Sequence, residues 1–333
     1  MLDFRTGQIF GLLLRTLPFL LLRVVVYIGI TFAYVLAVGV GGGIGLLFGK
    51  IGGNGGGGAG IGGLIGFGIV SGLLYWARQY LLYLVKAGHV AVLVELLDGG
   101  QIPGGKGQID YATNIVKQHF ATSSVLFGLH QLIRGILRVF NRLTVSIASW
   151  LPIPGLDLLV KLVDAIINTS LTHFDLVILA QILRRKAGND ENPWAIARDS
   201  TVLYAQNYKG VLKNAAFLTF MIWALTLLIL ALVAAPIAAL IGLFHVHAGF
   251  WTFALAVIAA LSLKAALIDP FATVALIQVY DKITAGQTPN PEWTAKLESM
   301  SAKFRTLTQK ARDAATGPAP AGPATPQISP SGA

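Results

Sequence analysis

Three arginines spaced four apart, Arg134, Arg138 and Arg142, stand inside HQLIRGILRVFNRL, residues 130–143, in otherwise apolar surroundings. On a helix that spacing gathers them on one face together with Gln131 and Asn141. Beyond the turn at Leu151-Pro-Ile-Pro-Gly155, the residues Asp157, Lys161, Asp164 and Asn168 form a second polar face that can meet the first. Such groups either pair structurally near a membrane interface or line an aqueous route for a charged solute. An arginine left bare at mid-bilayer costs at least about 2.5 kcal/mol, so the stripe is expected to face protein or water and not lipid.

A second set is aromatic. Trp76, Tyr80 and Tyr83 share one helical face, with Tyr75, Gln79 and Lys86 on the adjoining one. Aromatic faces attract quaternary ammonium groups by about 0.5–2 kcal/mol each; Trp and Tyr also make interfacial belts. His89, Asp175 and Asp269 are the titratable groups expected deepest in the membrane. Asp269 precedes Pro270, whose missing N–H and ring clash break the backbone ladder and can free carbonyls for a ligand. A pairing of Asp269 with Lys264 is the structural alternative. His245 and His247 lack a nearby carboxylate or third histidine in sequence, and read as a solvated turn and not a metal site. Neither a Ser-His-Asp order, an HExxH, a Walker loop nor paired acids at catalytic spacing occurs, so neither an enzyme nor a cofactor is expected.

The elements that must position these groups follow from composition. Of 333 residues 55% are hydrophobic and 12% charged, about half the charge of a soluble domain. Asn214–Phe244 carries no charge, and about 20 apolar residues cross a bilayer. The fold class expected is all-α: a polytopic integral membrane protein with about six membrane helices in three hairpins plus amphipathic surface helices. The net charge of +10 is dispersed over short polar segments, which indicates topology and contact with anionic lipid heads, and not nucleic acid. There is no cysteine, which excludes disulfides.

Residues 1–313 are expected to form a single helical membrane domain. Within it, residues 1–16 make an amphipathic helix lying on the membrane, and Pro18 opens the first span. Residues 39–72 make a glycine-rich hairpin turning at Asn54, in which Gly45 with Gly49 and Gly62 with Gly66 allow close helix approach. Asp110 is placed at the cap of a further amphipathic helix. Pro193 opens a helix over 193–209, and 290–313 forms another at the surface. The Pro- and Ala-rich stretch 314–333 cannot bury a core and is expected to be disordered. No removable leader is evident, so the first apolar stretch is expected to be retained. Segments 184–213 and 282–312 carry six Lys or Arg each, whereas the turns at Pro152 and His245 carry none. By the positive-inside rule both termini face the cytoplasm, in the plasma or inner membrane. Gly100-Gln-Ile-Pro103 recurs as Gly286-Gln-Thr-Pro289, a weak internal repeat at the ends of outside-to-inside helices.

The ordered set VKAGHVAV (85–92), HQLIRGILRVFNRL (130–143), ARDSTVLYAQNYKGVLKNA (197–215) and LIDPFATVALIQVYDKITAG (267–286) resembles the membrane core of the choline transporter-like family. The resemblance covers roughly residues 85–305 and implies solute transport, with choline or another small organic cation as the substrate class. The chain has fewer expected helices than that family and carries the glycine hairpin in place of its front part. A route completed by a homo-oligomer fits that difference. Substrate or polar-pathway residues are then expected among Trp76, Tyr80, Tyr83, His89, Arg134, Arg138, Asp164, Asp175 and Asp269. The alternative is a non-transporting scaffold or assembly factor acting through its amphipathic cytoplasmic helices.

Overall fold

The computed structural model describes residues 2–102, 106–119, 131–133, 136, 156–186, 192–243 and 250–316, and every regular element among them is helical. The chain is an all-α, multi-pass membrane protein. Arg134, Arg138 and the expected crossing around them lie outside the described residues, as does 317–333 of the tail.

Thr6–Arg15 (α1) leads into Leu17–Ile51 (α2), with Pro18 in the first turn of α2 where its absent N–H is harmless. Gly53, at φ +77°, makes the turn, and Asn54 caps Gly55–Leu97 (α3) by accepting the Gly57 N–H at 3.0 Å. The glycine segment turns at Gly53–Asn54. It is the far end of a continuous helix pair whose arms run roughly 50 and 65 Å. There the backbones touch: a Cβ on Gly45 would overlap the Gly58 carbonyl oxygen, and one on Gly62 the Gly41 carbonyl oxygen. Only residues without side chains permit that approach.

Gly99, at φ +87°, ends α3, and Lys106–His119 (α4) follows. Because α4 begins at Lys106, Asp110 lies in its second turn and does not cap it. Tyr111 donates to Glu95 at 2.9 Å, fastening α4 to α3; burial, and then that bond, push the phenol up to about 12. After Leu156–Lys186 (α5), Asn192 caps Pro193–Gln206 (α6) by accepting the Trp194 N–H, and Tyr208–Leu243 (α7) rises from it. Phe250–Leu263 (α8) passes through a π-helical turn, Lys264–Ile268, into Asp269–Thr284 (α9). Proline at 270 can neither donate to nor tolerate the carbonyl four residues back, and the widened turn accommodates it. Gly286, at φ +70°, follows α9 much as Gly99 follows α3.

Five described stretches are long and apolar enough to cross a bilayer: Leu17–Ile51, Gln79–Leu97, Lys161–Arg185, Tyr208–Pro236 and Ala256–Thr284. Their burial separates two roles. The most apolar windows of α2 and α7 are 11% and 17% buried, against 67% for α5. Helices α2 and α7 thus present Leu21, Val25, Phe32, Leu227 and Leu232 outward, while α5 and α9 form the interior.

The amphipathic helices use their apolar faces inside the protein. On α1, Ile9, Leu12 and Leu13 are buried, and Phe10 lies 5.1 Å from Phe271 of α9. The expected helix over 290–313 is two, Pro291–Met300 (α10) and Ala302–Thr316 (α11), separated by extended Ser301. Leu297, Phe304 and Leu307 are fully buried, Asn192 donates to the Ala311 carbonyl at 2.7 Å, and Lys310 sits 4.4 Å over the Trp194 ring. A sequence pattern specifies that a helix has an apolar face; the packing partner here is protein.

Two ionic clasps hold the terminal end of the bundle. Arg184 of α5 binds Asp98 at 2.9 Å and Asp281 of α9 at 2.8 Å. Asp3 receives Asn214 at 2.8 Å, Lys213 at 2.6 Å and Lys282 at 3.0 Å. Those bonds, Asn214 first and the two lysines next, hold the Asp3 carboxyl well below the usual carboxylate range. A depressed carboxylate stabilises the fold above its unfolded pKa of about 3.9 and progressively less below it. Asp3→Asn is accordingly expected to melt several degrees below the native protein in detergent at pH 7, with the gap beginning to narrow below about pH 4. A gap constant from pH 7 to pH 3 would remove Asp3 from this role.

Candidate functional site: a polar cleft at the foot of the glycine hairpin

On α2, Tyr27, Thr31 and Tyr34 recur at helical spacing, and on α3 Gln79, Tyr83 and Lys86 do the same. The two stripes face each other across a cleft of about 440 Å³ that α8 completes with Ile258, Leu261 and Ser262. Thr31 and Ser262 share a hydrogen bond at 2.9 Å, tying the rim of α2 to α8. The walls are mainly apolar, with tyrosine hydroxyls, one amide and one ammonium placed among them. That is the usual chemistry of a small-molecule site.

Below the cleft the same stripes carry charge. One turn beneath Tyr27, Arg23 is 2% exposed, and its Nη1 approaches His89 Nδ1 at 3.4 Å. His89 Nε2 lies 3.0 Å from Thr16 Oγ1. The Thr16 hydroxyl already donates its hydrogen to the Leu12 or Leu13 carbonyl, so His89 must donate from Nε2. That leaves Nδ1 as the acceptor for Arg23, and His89 is the Nε2–H tautomer. Phe19 stacks on its ring at 5.3 Å.

On α9, Asp269 pairs with Lys264 at 2.7 Å across the π-helical turn. Thr273 donates to the Asp269 carbonyl at 2.9 Å, so the 3.1 Å contact between Thr273 and His173 requires His173 to donate from Nδ1. Lys86 and His173 both lie within electrostatic reach of Asp269. Asp175 is buried in α5 and accepts the Leu176 N–H at 2.9 Å. Among the described residues the cluster therefore holds three cations, Arg23, Lys86 and Lys264, against two carboxylates, Asp175 and Asp269.

Of the residues expected from sequence, Tyr83 lines the cleft, and His89, Asp175 and Asp269 lie in the charged layer beneath it. Tyr80 does not join Tyr83. It lines a second cavity of about 370 Å³ between α3 and α4, so these two aromatics are divided between two faces of α3. The side chain of Trp76 lies outside the described residues. Asp164 is half-buried on α5 and forms no ion pair among the described residues. Arg23, Tyr27, Thr31 and Tyr34 are the residues that sequence reasoning missed. The available signal was a lone arginine in the otherwise uncharged run from Leu17 to Gly49. Among the described residues no three His, Asp or Glu side chains cluster to hold a metal. No family model, curated protein or solved structure matches this chain, and the cleft is interpreted from its own residues.

Proposed function

We propose that this membrane protein is a transporter and that the cleft between α2, α3 and α8 is its solute site. The observation that carries this reading is a roomy, hydroxyl-lined cleft between membrane helices with a layer of buried charge at its floor. Polar groups at that depth are unfavourable unless they serve a ligand or one another. The π-helical turn at Lys264–Ile268 supplies a second ingredient, because it is a local break in the ladder of the helix that forms one wall. Breaks of this kind let one half of a helix tilt against the other, as alternating access requires. The scaffold alternative draws less support: α10 and α11 bury their apolar faces against α6 and leave little to offer a partner.

The test is flux in proteoliposomes, with choline and an organic anion each supplied as labelled solute. Native protein is expected to exceed protein-free vesicles for at least one of them. Tyr83→Ala combined with Lys86→Ala is expected to reduce that flux by about tenfold or more, the loss of roughly 1.4 kcal/mol of binding or barrier. Native flux equal to the background for both solutes would defeat the transport reading.

A further inference from the structure

The guanidinium of Arg23 is buried with few hydrogen-bond partners. It is 2% exposed, and among the described residues its one hydrogen-bond contact is the 3.4 Å approach to His89, with Nε unpartnered. Among the described residues no carboxylate forms an ion pair with it; Asp269, the one carboxylate whose charge acts on Arg23, is itself paired with Lys264 at 2.7 Å. The geometry of His89 supplies only a ring nitrogen and no negative charge. A planar donor with five N–H groups buried in this way is built for an anion, which it can grip through two parallel bonds.

We infer that Arg23 anchors the anionic head of the solute, and that the solute is a carboxylate or phosphate carried on an apolar body. This deepens the transport reading and rests on it for the route, though not for the binding. Arg23 stands one turn below Tyr27, and His89 one turn below Lys86, so the pair lies just beneath the residues that line the cleft, on the same helical stripes. Lys86 lies between cleft and charged layer and adds a second cation. Above them Ile30, Leu82, Ile258 and Leu261 give an apolar wall for the body of the ligand, and the hydroxyls of Tyr27 and Thr31 mark the transition. The excess of cations over carboxylates among the described residues of this layer disfavours a quaternary ammonium at the same place. The anion has two sources, a free amphiphile or the head of a membrane lipid, and they share this chemistry.

The decisive comparison uses the native full-length protein in neutral detergent and two probes with the same tail, decanoate and decyltrimethylammonium, both below their micelle concentrations. Calorimetric titration is expected to show saturable decanoate binding at least tenfold tighter than that of the ammonium probe. Arg23→Gln is expected to weaken decanoate binding about thirtyfold or more, and Arg23→Lys to restore part of it. Equal or tighter binding of the ammonium probe by the native protein overturns the assignment, and this arm does not depend on whether any variant folds. Undiminished decanoate binding by a folded Arg23→Gln protein, with a normal melting curve, overturns it as well. Decanoate titration into nanodiscs separates the sources. If discs rich in phosphatidylglycerol suppress binding relative to phosphatidylcholine discs, the lipid is the resident anion; equal binding in both assigns the free amphiphile. Decanoate binding without flux in proteoliposomes would retain the anion site and remove the transport reading, whereas choline flux without decanoate binding would do the reverse.

Discussion

Gly58→Val will separate the two arms of the α2–α3 hairpin, lowering stability by about 3 kcal/mol and the melting temperature by roughly 6–12 °C. The reason is contact between backbones. A Cβ at Gly58 would overlap the carbonyl oxygen of Gly45 and crowd the Gly49 backbone, and neither atom can rotate away as a side chain would. The arms must part along the segment where Gly41, Gly45 and Gly49 face Gly58, Gly62 and Gly66. Gly60→Val is the matched control, since a Cβ there meets nothing within 4 Å. It changes the same residue type two positions away and is expected to shift stability by no more than about 0.5 kcal/mol. Thermal melts of the two proteins in one detergent decide the matter. Coincident curves would show that the close approach contributes nothing to the fold.

The second large effect concerns the ion pair at the π-helical turn. Lys264→Met removes the partner of Asp269, whose side chain is only 12% exposed, and leaves a carboxylate with little access to water. Breaking a buried pair from one side costs about 3–5 kcal/mol. Replacing both members, Lys264→Met with Asp269→Leu, is expected to recover most of that loss, because apolar groups of similar size need no counter-charge. Asp269→Leu alone should lie between the two. The remaining lysine is 26% exposed and has a long stem with which to reach water. A double variant as unstable as the sum of the singles would mean that the two residues act independently and that the 2.7 Å contact is incidental.

Local chemistry was legible in the sequence wherever a residue type dictates backbone geometry. The turn before Asn54, the opening of α6 at Pro193 and the interruption ahead of Pro270 all follow from what glycine, asparagine and proline do to φ and to hydrogen-bonding capacity. The glycine spacing correctly announced close packing, yet not that both flanking helices continue through it. The cleft was only partly legible. Tyr83 and Asp269 could be singled out on their own, whereas Arg23 acquires its meaning from His89 and Thr16, and the His89–Thr16 contact joins residues 73 apart in sequence. The division of Tyr80 from Tyr83 was hidden for the same kind of reason. Both fall within one turn of α3, but α2 and α4 approach that turn from different sides. The amphipathic pattern of α1 and α11 likewise specified an apolar stripe and said nothing about whether lipid or protein would cover it.

The clasp around Asp3 carries an implication for biosynthesis. Its anchoring groups, Asn214, Lys213 and Lys282, are made more than 200 residues after Asp3 itself. Asp3 is therefore synthesised well before the groups that hold it, and the clasp closes in two stages, first on Lys213 and Asn214 and later on Lys282. A nascent chain arrested before residue 282 would hold Asp3 by Asn214 and Lys213 alone, while one arrested before residue 213 would leave the segment around Asp3 without any member of the clasp and more open to proteolysis.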